Sequence, residues 1–288
     1  MKQVIICCLT LVCIDAFTQS DSLLLMNISK LKKATNDSPM NNIRGSEKKV
    51  LQLLREREPV TASKEDIEIA YSCGLMMKKV KNQQLRKEMV ERITNTCMTD
   101  SSSKCNRASN LLRSMQVKDF SNEAKQNIYK KALASGFKNS TTLLIGFLNI
   151  QKAYAQMKEE ISSNNNVHWY TKLALARMGD ESQIQDCLDE IAISEHPKFF
   201  KLQEMAYIKQ PQLVNIYNYY LQSDKAIPDS YDVRGIDDAS LGAKYLARLL
   251  IGFPLEFQTS PYTPAQIALA RQWMLANKGK YKIRRDEF

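Results

Sequence analysis

Two histidines, seven cysteines and thirty-one carboxylates are the groups from which this 288-residue chain would have to build its chemistry. Their spacing brings few of them together. His168 adjoins Trp169 at one predicted helix start and His196 precedes Pro197 at another, positions where an imidazole caps a helix or meets water. The two lie far from a paired-ligand spacing and no C-x-x-C is present, so no zinc site is read. Cys7, Cys8 and Cys13 fall within the first 18 residues, leaving Cys73, Cys97, Cys105 and Cys187. Cys97 and Cys105 flank the polar stretch MTDSSSK, which a disulfide would close in an oxidising compartment. Cys187 falls on an apolar seam, as a small hydrophobe does. Asp229, Asp232, Asp237 and Asp238 offer hard oxygen ligands of the kind calcium takes, but their spacing matches no EF-hand loop and reads as solvated turn carboxylates. Asp186 and Glu190 stand four apart on a helical face of solvated charge. A G-x-S-x-G elbow, a P-loop, an H-E-x-x-H pair and a dinucleotide glycine fingerprint are all missing. No catalytic, cofactor-binding or metal-binding residue is therefore assigned, and no cofactor is expected.

The elements that would position any site are helices. From Val167 to Ile191 the chain reads helix, turn, helix. Tyr170, Leu173 and Ala176 share one face, Gly179 supplies a left-handed helix end, and Asp180 caps the next helix with Gln183 at capping-box distance. Ile184, Cys187, Leu188 and Ile191 then follow the i, i+3, i+4, i+7 pattern. The pattern returns 29 residues later: Tyr170 maps to Phe199, Leu173 to Leu202, Ala176 to Met205, Met178 to Tyr207, Ile184 to Leu213, Cys187 to Ile216, Leu188 to Tyr217 and Ile191 to Tyr220. Lys209-Gln210-Pro211 stands where the Gly-Asp turn stood.

Residues 173 to 191, LALARMGDESQIQDCLDEI, resemble a HEAT repeat, with alanine-rich contacts in the first helix, a Gly-Asp turn and an Ile/Leu seam in the second. The resemblance implies an all-α fold of stacked antiparallel helical hairpins forming a short, irregular HEAT-like α-solenoid, a class of protein that presents surface to partners.

Residues 1–18 read as a signal peptide, with Lys2 ahead of an apolar run from Val4 to Ile14 and Ala16 and Thr18 at the −3 and −1 positions. The expected destination is periplasmic or extracellular. No other apolar run is long enough for a membrane span. Residues 19–45 read as a short helix and linker, 46–161 as N-terminal helical hairpins, 162–277 as C-terminal HEAT-like helical repeats and 278–288 as a basic tail. Within these, Ser121 opens a helix through Ala134, and Leu143, Phe147, Ile150, Tyr154, Met157 and Ile161 predict one helix over 141–161. Residues 223–240 read as a long loop and 241–253 as a helix. Thr263-Pro264-Ala265-Gln266 starts a last helix with a capping box and an N-terminal proline. No segment alternates convincingly as a strand.

The formal charge is +10 and stays so without the leader, since Lys2 and Asp15 cancel. Lys78, Lys79, Lys81, Arg86 and Lys87 crowd one helix junction, and Lys278, Lys280, Lys282, Arg284 and Arg285 crowd the end of the sequence. Such a chain is drawn to polyanions, although interspersed acids give it the pattern of an ordinary lysine-rich surface. Two functions are thus in view. One is an exported, non-catalytic helical-repeat scaffold that binds a protein or peptide partner, with Gln185, Asp189, Asn215 and Asn218 as contacts. The alternative is a HEAT-like DNA glycosylase or other polyanion-binding protein, for which Trp169, Trp273 and the basic surface are compatible and the export signal is not.

Overall fold

The computed structural model describes residues 82–97, 110–163, 168–192, 199–224, 237–257 and 261–288. Residues 1–18, expected as a signal peptide, residues 19–45, expected as a short helix and linker, and Lys78, Lys79, Lys81, Cys105, His196, Asp229 and Asp232 lie outside them. Among the described residues the regular elements are all helical: ten α-helices, one 3-10 turn and no strand. The chain divides into two compact units, Met1–Lys131 and Ala132–Phe288.

The first unit contains α1 (Gln83–Cys97), a 3-10 turn (Val117–Asp119) and most of α2 (Asn122–Ala134). Met89, Val90 and Ile93 bury one face of α1. A charge pair joins α1 to the turn, with Arg86 Nε 3.1 Å from each carboxylate oxygen of the buried Asp119. That carboxylate also accepts the Gln116 N–H at 3.1 Å. Ser121 caps α2 as expected, its Oγ accepting the Ala124 N–H at 3.2 Å.

The second unit holds α3 (Thr142–Phe147), α4 (Lys152–Ser163), α5 (Trp169–Arg177), α6 (Glu181–Ala192), α7 (Phe199–Met205), α8 (Gln212–Gln222), α9 (Asp238–Leu249) and α10 (Pro264–Ala276). The predicted single helix over 141–161 is two helices, α3 and α4. Asn149 takes a left-handed conformation, φ 51°. Its N–H and that of Ile150 return to the carbonyls of Gly146 and Ile145 at 3.2 and 3.1 Å, which closes α3. The apolar spacing runs on across the break because Leu148 and Ile150, within the turn, are buried like their helical neighbours.

Helix α3 is buried at all six positions, and α5 and α9 at most of theirs. Helix α5 packs against α3, α4 and α6, while α8 runs along α9 and both meet α10. Two glycines permit the closest approaches. A Cβ on Gly146 would lie 2.7 Å from the Ala174 carbonyl oxygen of α5, and one on Gly242 2.5 Å from the Tyr217 carbonyl oxygen and 2.8 Å from Leu221 Cα of α8. The helix starts are capped by side chains, at His168 and Asp180 as the sequence predicts, and at Asp237 within the stretch 223–240 read from sequence as a loop, since α9 already begins at Asp238. His168 accepts the Tyr170 N–H at 3.4 Å, Asp180 the Gln183 N–H at 3.1 Å and Asp237 the Ser240 N–H at 2.6 Å. Thr263 and Gln266 form the reciprocal box of α10. At α6 the box is half-formed: the Gln183 amide donates to Asp186 at 3.1 Å, and the Asp180 N–H goes to the Leu175 carbonyl.

Because a Cβ on Gly242 would run into the backbone of α8, which cannot give as a flexible side chain can, Gly242→Ala is expected to destabilise the second unit by about 2 kcal/mol or more through overpacking. Urea denaturation followed by circular dichroism measures it. A loss below about 0.5 kcal/mol would mean that α8 and α9 are less tightly apposed.

Candidate functional site

Helix α8 carries its polar residues on one stripe. Leu213, Val214, Tyr217 and Leu221 are buried, which leaves Gln212, Asn215, Asn218 and Gln222, at steps of three, three and four, along a neighbouring strip of the same helix. This row of four amides forms one wall of an open groove of about 710 Å³. Met274, Leu275 and Lys278 come from the end of α10, and Tyr281 and Ile283 from the segment that follows. Met274 is buried, whereas Leu275 is 75 % exposed. Gln222 Nε2 donates to Asn218 Oδ1 at 3.2 Å, Gln212 Nε2 lies 3.4 Å from Glu181 Oε2, and the Asn215 side chain makes no hydrogen bond among the described residues.

The α10 wall is fixed at both ends. At one, Arg271 Nε donates to the Leu221 carbonyl at 2.8 Å and Arg271 Nη2 to Asp224 at 2.7 Å, which ties α10 to the end of α8. At the other, Gly279 turns the chain with φ 77°. The Tyr281 hydroxyl then donates back to the Met274 carbonyl at 2.9 Å and its ring stacks on Trp273. Ile283 bridges to Leu250: the Ile251 N–H reaches the Lys282 carbonyl at 2.8 Å and the Arg284 N–H the Leu249 carbonyl at 2.9 Å. Residues 278–288, read from sequence as a basic tail, thus fold back on their own unit as a hook.

What holds the hook is a buried cation. Arg177, at the end of α5 and 8 % exposed, donates to the Tyr207 carbonyl at 2.5 Å, to the Arg285 carbonyl at 2.7 Å and to the Glu287 carbonyl at 2.8 Å. Its guanidinium also lies over the rings of Phe147 and Tyr207, and the ring of Phe288 packs on both of those. Gln210 completes the joint, donating to the carbonyls of Ala176 and Arg177 at 3.2 Å and accepting from Arg285 at 3.0 Å. Beside it stands Lys209, 1 % exposed and left-handed at φ 52°, its Nζ donating to the Arg248 carbonyl. Burial, reinforced by Arg177 and Arg248, pushes this ammonium down to about 7.

Several groups with catalytic side chains sit elsewhere in the unit, each in a setting that quenches reactivity. Asp180 accepts from the Tyr154 hydroxyl at 2.6 Å and from Ser182 at 2.8 Å, and pairs with Lys158 at 2.9 Å. Burial alone would raise its carboxyl, but these donors and the Gln183 N–H outweigh it and hold the group well below the usual carboxylate range. Such a carboxylate is too weak a base for proton abstraction near neutrality. Burial pushes the Cys187 thiol up to about 12, which leaves it protonated and inert.

The sequence-predicted contacts separate. Asn215 and Asn218 line the groove, whereas Gln185 and Asp189 bond each other at 2.7 Å on the exposed face of α6. Trp169 donates to Glu204 at 2.6 Å, and Trp273 packs against Phe253 and Tyr281. Glu190 pairs with Lys201. Among the described residues no group of three or more His, Cys, Asp or Glu side chains converges as a metal site would require, and Asp237 and Asp238 serve as the cap of α9 and as acceptor for Ser223. Sequence reasoning passed over Arg177, Lys209 and Gln210. No family model, curated protein or solved structure matches the chain.

Two outcomes follow from the joint. Arg177→Leu leaves three carbonyls without their donor and is expected to speed tryptic cleavage at Lys282, Arg284 and Arg285 at least tenfold, read by mass spectrometry. Unchanged cleavage would show that the hook is held by other contacts. The second outcome is a pH slope. An unfolded lysine titrates near 10.5 and the folded Lys209 near 7. Between those values the unfolded chain binds the extra proton, so stability rises with pH, and below pH 7 the slope vanishes. One proton gives at most about 1.4 kcal/mol per pH unit. Between pH 7 and 9, below the range where Cys187 opposes it, Lys209→Met should flatten the rise in urea midpoint, and parallel pH profiles for the two proteins would refute the assignment.

Proposed function

We propose that this protein is an exported, non-catalytic helical-repeat scaffold of HEAT-like kind that binds a protein or peptide partner, and that the groove between α8 and α10 is where it binds. The observation that carries the reading is the row of four amides on α8 opposite an apolar wall that includes the 75 % exposed Leu275. Amides both donate and accept, so they suit a partner whose backbone presents both kinds of group. The wall supplies the apolar contact that recognition sites combine with a few placed polar groups. Asp180 and Cys187 support the non-catalytic half of the reading, because the donors around the first keep it a weak base and burial keeps the second protonated. Export rests on the sequence of residues 1–18, and the HEAT-like kinship on residues 173–191.

The test is affinity capture of the processed chain from its native envelope fraction, with Asn215→Ala/Asn218→Ala as the comparison. Affinity for partners retained by the parent chain should fall by roughly thirtyfold with the double variant, since two hydrogen bonds at about 1 kcal/mol each amount to about that factor. Equal recovery of every partner by both proteins would remove the groove from the function.

A further inference from the structure

The reading of the groove as a partner site can be carried one step further, to the chemistry of what occupies it. We propose that the groove takes an extended peptide segment of four or five residues that carries an apolar side chain and an acidic one. The inference rests on the functional reading just given.

Length comes first. From Gln212 to Gln222 helix α8 rises about 15 Å, which an extended strand covers in four or five residues at about 3.3 Å each. Backbone state follows from the amides. A helical ligand has already paired its own N–H and C=O groups and gains little from a row of donors and acceptors, whereas an extended segment leaves both kinds open along its edge. The side chains of this row are only partly used: among the described residues Asn215 has no hydrogen bond, Asn218 and Gln222 share a single one, and Gln212 makes a long one to Glu181. Apolar content follows from Leu275, which projects into the groove with three-quarters of its surface uncovered beside the buried Met274.

Charge decides the rest. Among the twelve lining residues Lys278 alone is charged, and the exposed Lys280 and Lys282 follow it in sequence. Among the described residues no carboxylate lines the groove to neutralise Lys278 and none pairs with it, so an occupant with a carboxylate is favoured over a basic one. A nucleic-acid strand is a poorer fit: phosphates accept only and are held by several cations together, while this wall is mostly neutral amide whose acceptor oxygens would face phosphate.

A bead-displayed library of random linear pentapeptides, panned on the full chain, tests the assignment. Enriched sequences are expected to combine at least one aliphatic or aromatic residue with Asp or Glu. Panning with Lys278→Glu should replace the acid by Lys or Arg. Backbone N-methylation of a selected peptide should weaken it at least tenfold, as should Asn215→Ala/Asn218→Ala in the protein. Enrichment without acidic residues, or a selection that Lys278→Glu leaves unchanged, overturns the charge assignment while partner capture through the amides still stands. Retention of affinity after N-methylation overturns the extended-backbone assignment. No enrichment at all overturns the peptide occupant. Capture of an envelope partner that still depends on Asn215 and Asn218 would then preserve the broader function with a folded surface as ligand, and salt-sensitive binding of heparin at the groove in its place would overturn both.

Discussion

A guanidinium taken out of water has to be repaid in hydrogen bonds, and Arg177 is repaid by three carbonyls from two distant stretches of chain, Tyr207 on one side and Arg285 and Glu287 on the other. Desolvating such an ion costs several kcal/mol, so neither stretch can leave without orphaning a charge. This constraint fixes the exit of α7 and the path of the hook together. It also sets the character of its neighbourhood. Lys209 is buried next to it, with Arg248 and Arg284 near, and Glu287 offsets only part of that positive field. Burial first, and then these cations, weaken the hold of Lys209 on its proton.

The same joint explains the irregular turn between α7 and α8. Gly179 ends α5 in the left-handed region, as its residue type allows. Thirty residues on, Lys209 adopts that region with a full side chain, one residue beyond the 29-residue spacing of the apolar seams. A left-handed lysine costs on the order of 1 kcal/mol. The turn tolerates it because Gln210 and Lys209 both reach neighbouring carbonyls from there, Gln210 those that end α5 and Lys209 that of Arg248.

The helices themselves were legible in the sequence, because apolar periodicity and capping chemistry are local. Ser121, His168, Asp180, Thr263 and Gln266 cap where their types and positions said they would, and Asn215 and Asn218 meet at one groove. What was hidden depended on distant pairing. Nothing in RRDEF indicates that carbonyls at 285 and 287 satisfy an arginine more than a hundred residues earlier, and Arg177 alone looks like an ordinary basic residue at a helix end. The break at Asn149 was hidden for another reason. A stripe of buried residues reports burial, which a tight turn shares with a helix, so periodicity could not see the gap between α3 and α4. Asn215 and Asn218 stood out as exposed positions on α8, but the opposite wall did not, because α10 meets α8 only in the tertiary packing, and Tyr281 and Ile283 join that wall only once Gly279 has turned the chain.

Whether the groove is ready before a partner arrives depends on how its walls are held. Helix α8 is anchored from behind, with Gly242 of α9 lodged against its backbone at Tyr217 and Leu221. The far wall is pinned at Arg271 by the Leu221 carbonyl and Asp224, and at its other end by Tyr281, the Leu250–Ile283 bridge and, through the hook, Arg177. On the proposed reading, an occupant would meet two walls already held in place and bear the ordering cost of its own chain and a few rim side chains, chiefly Leu275 and Lys278. Since association is limited by such ordering costs more than by area, a short extended segment would then suffice as the ligand of such a groove. The buried arginine does not line the groove, and its part in that reading would be to keep one wall in place.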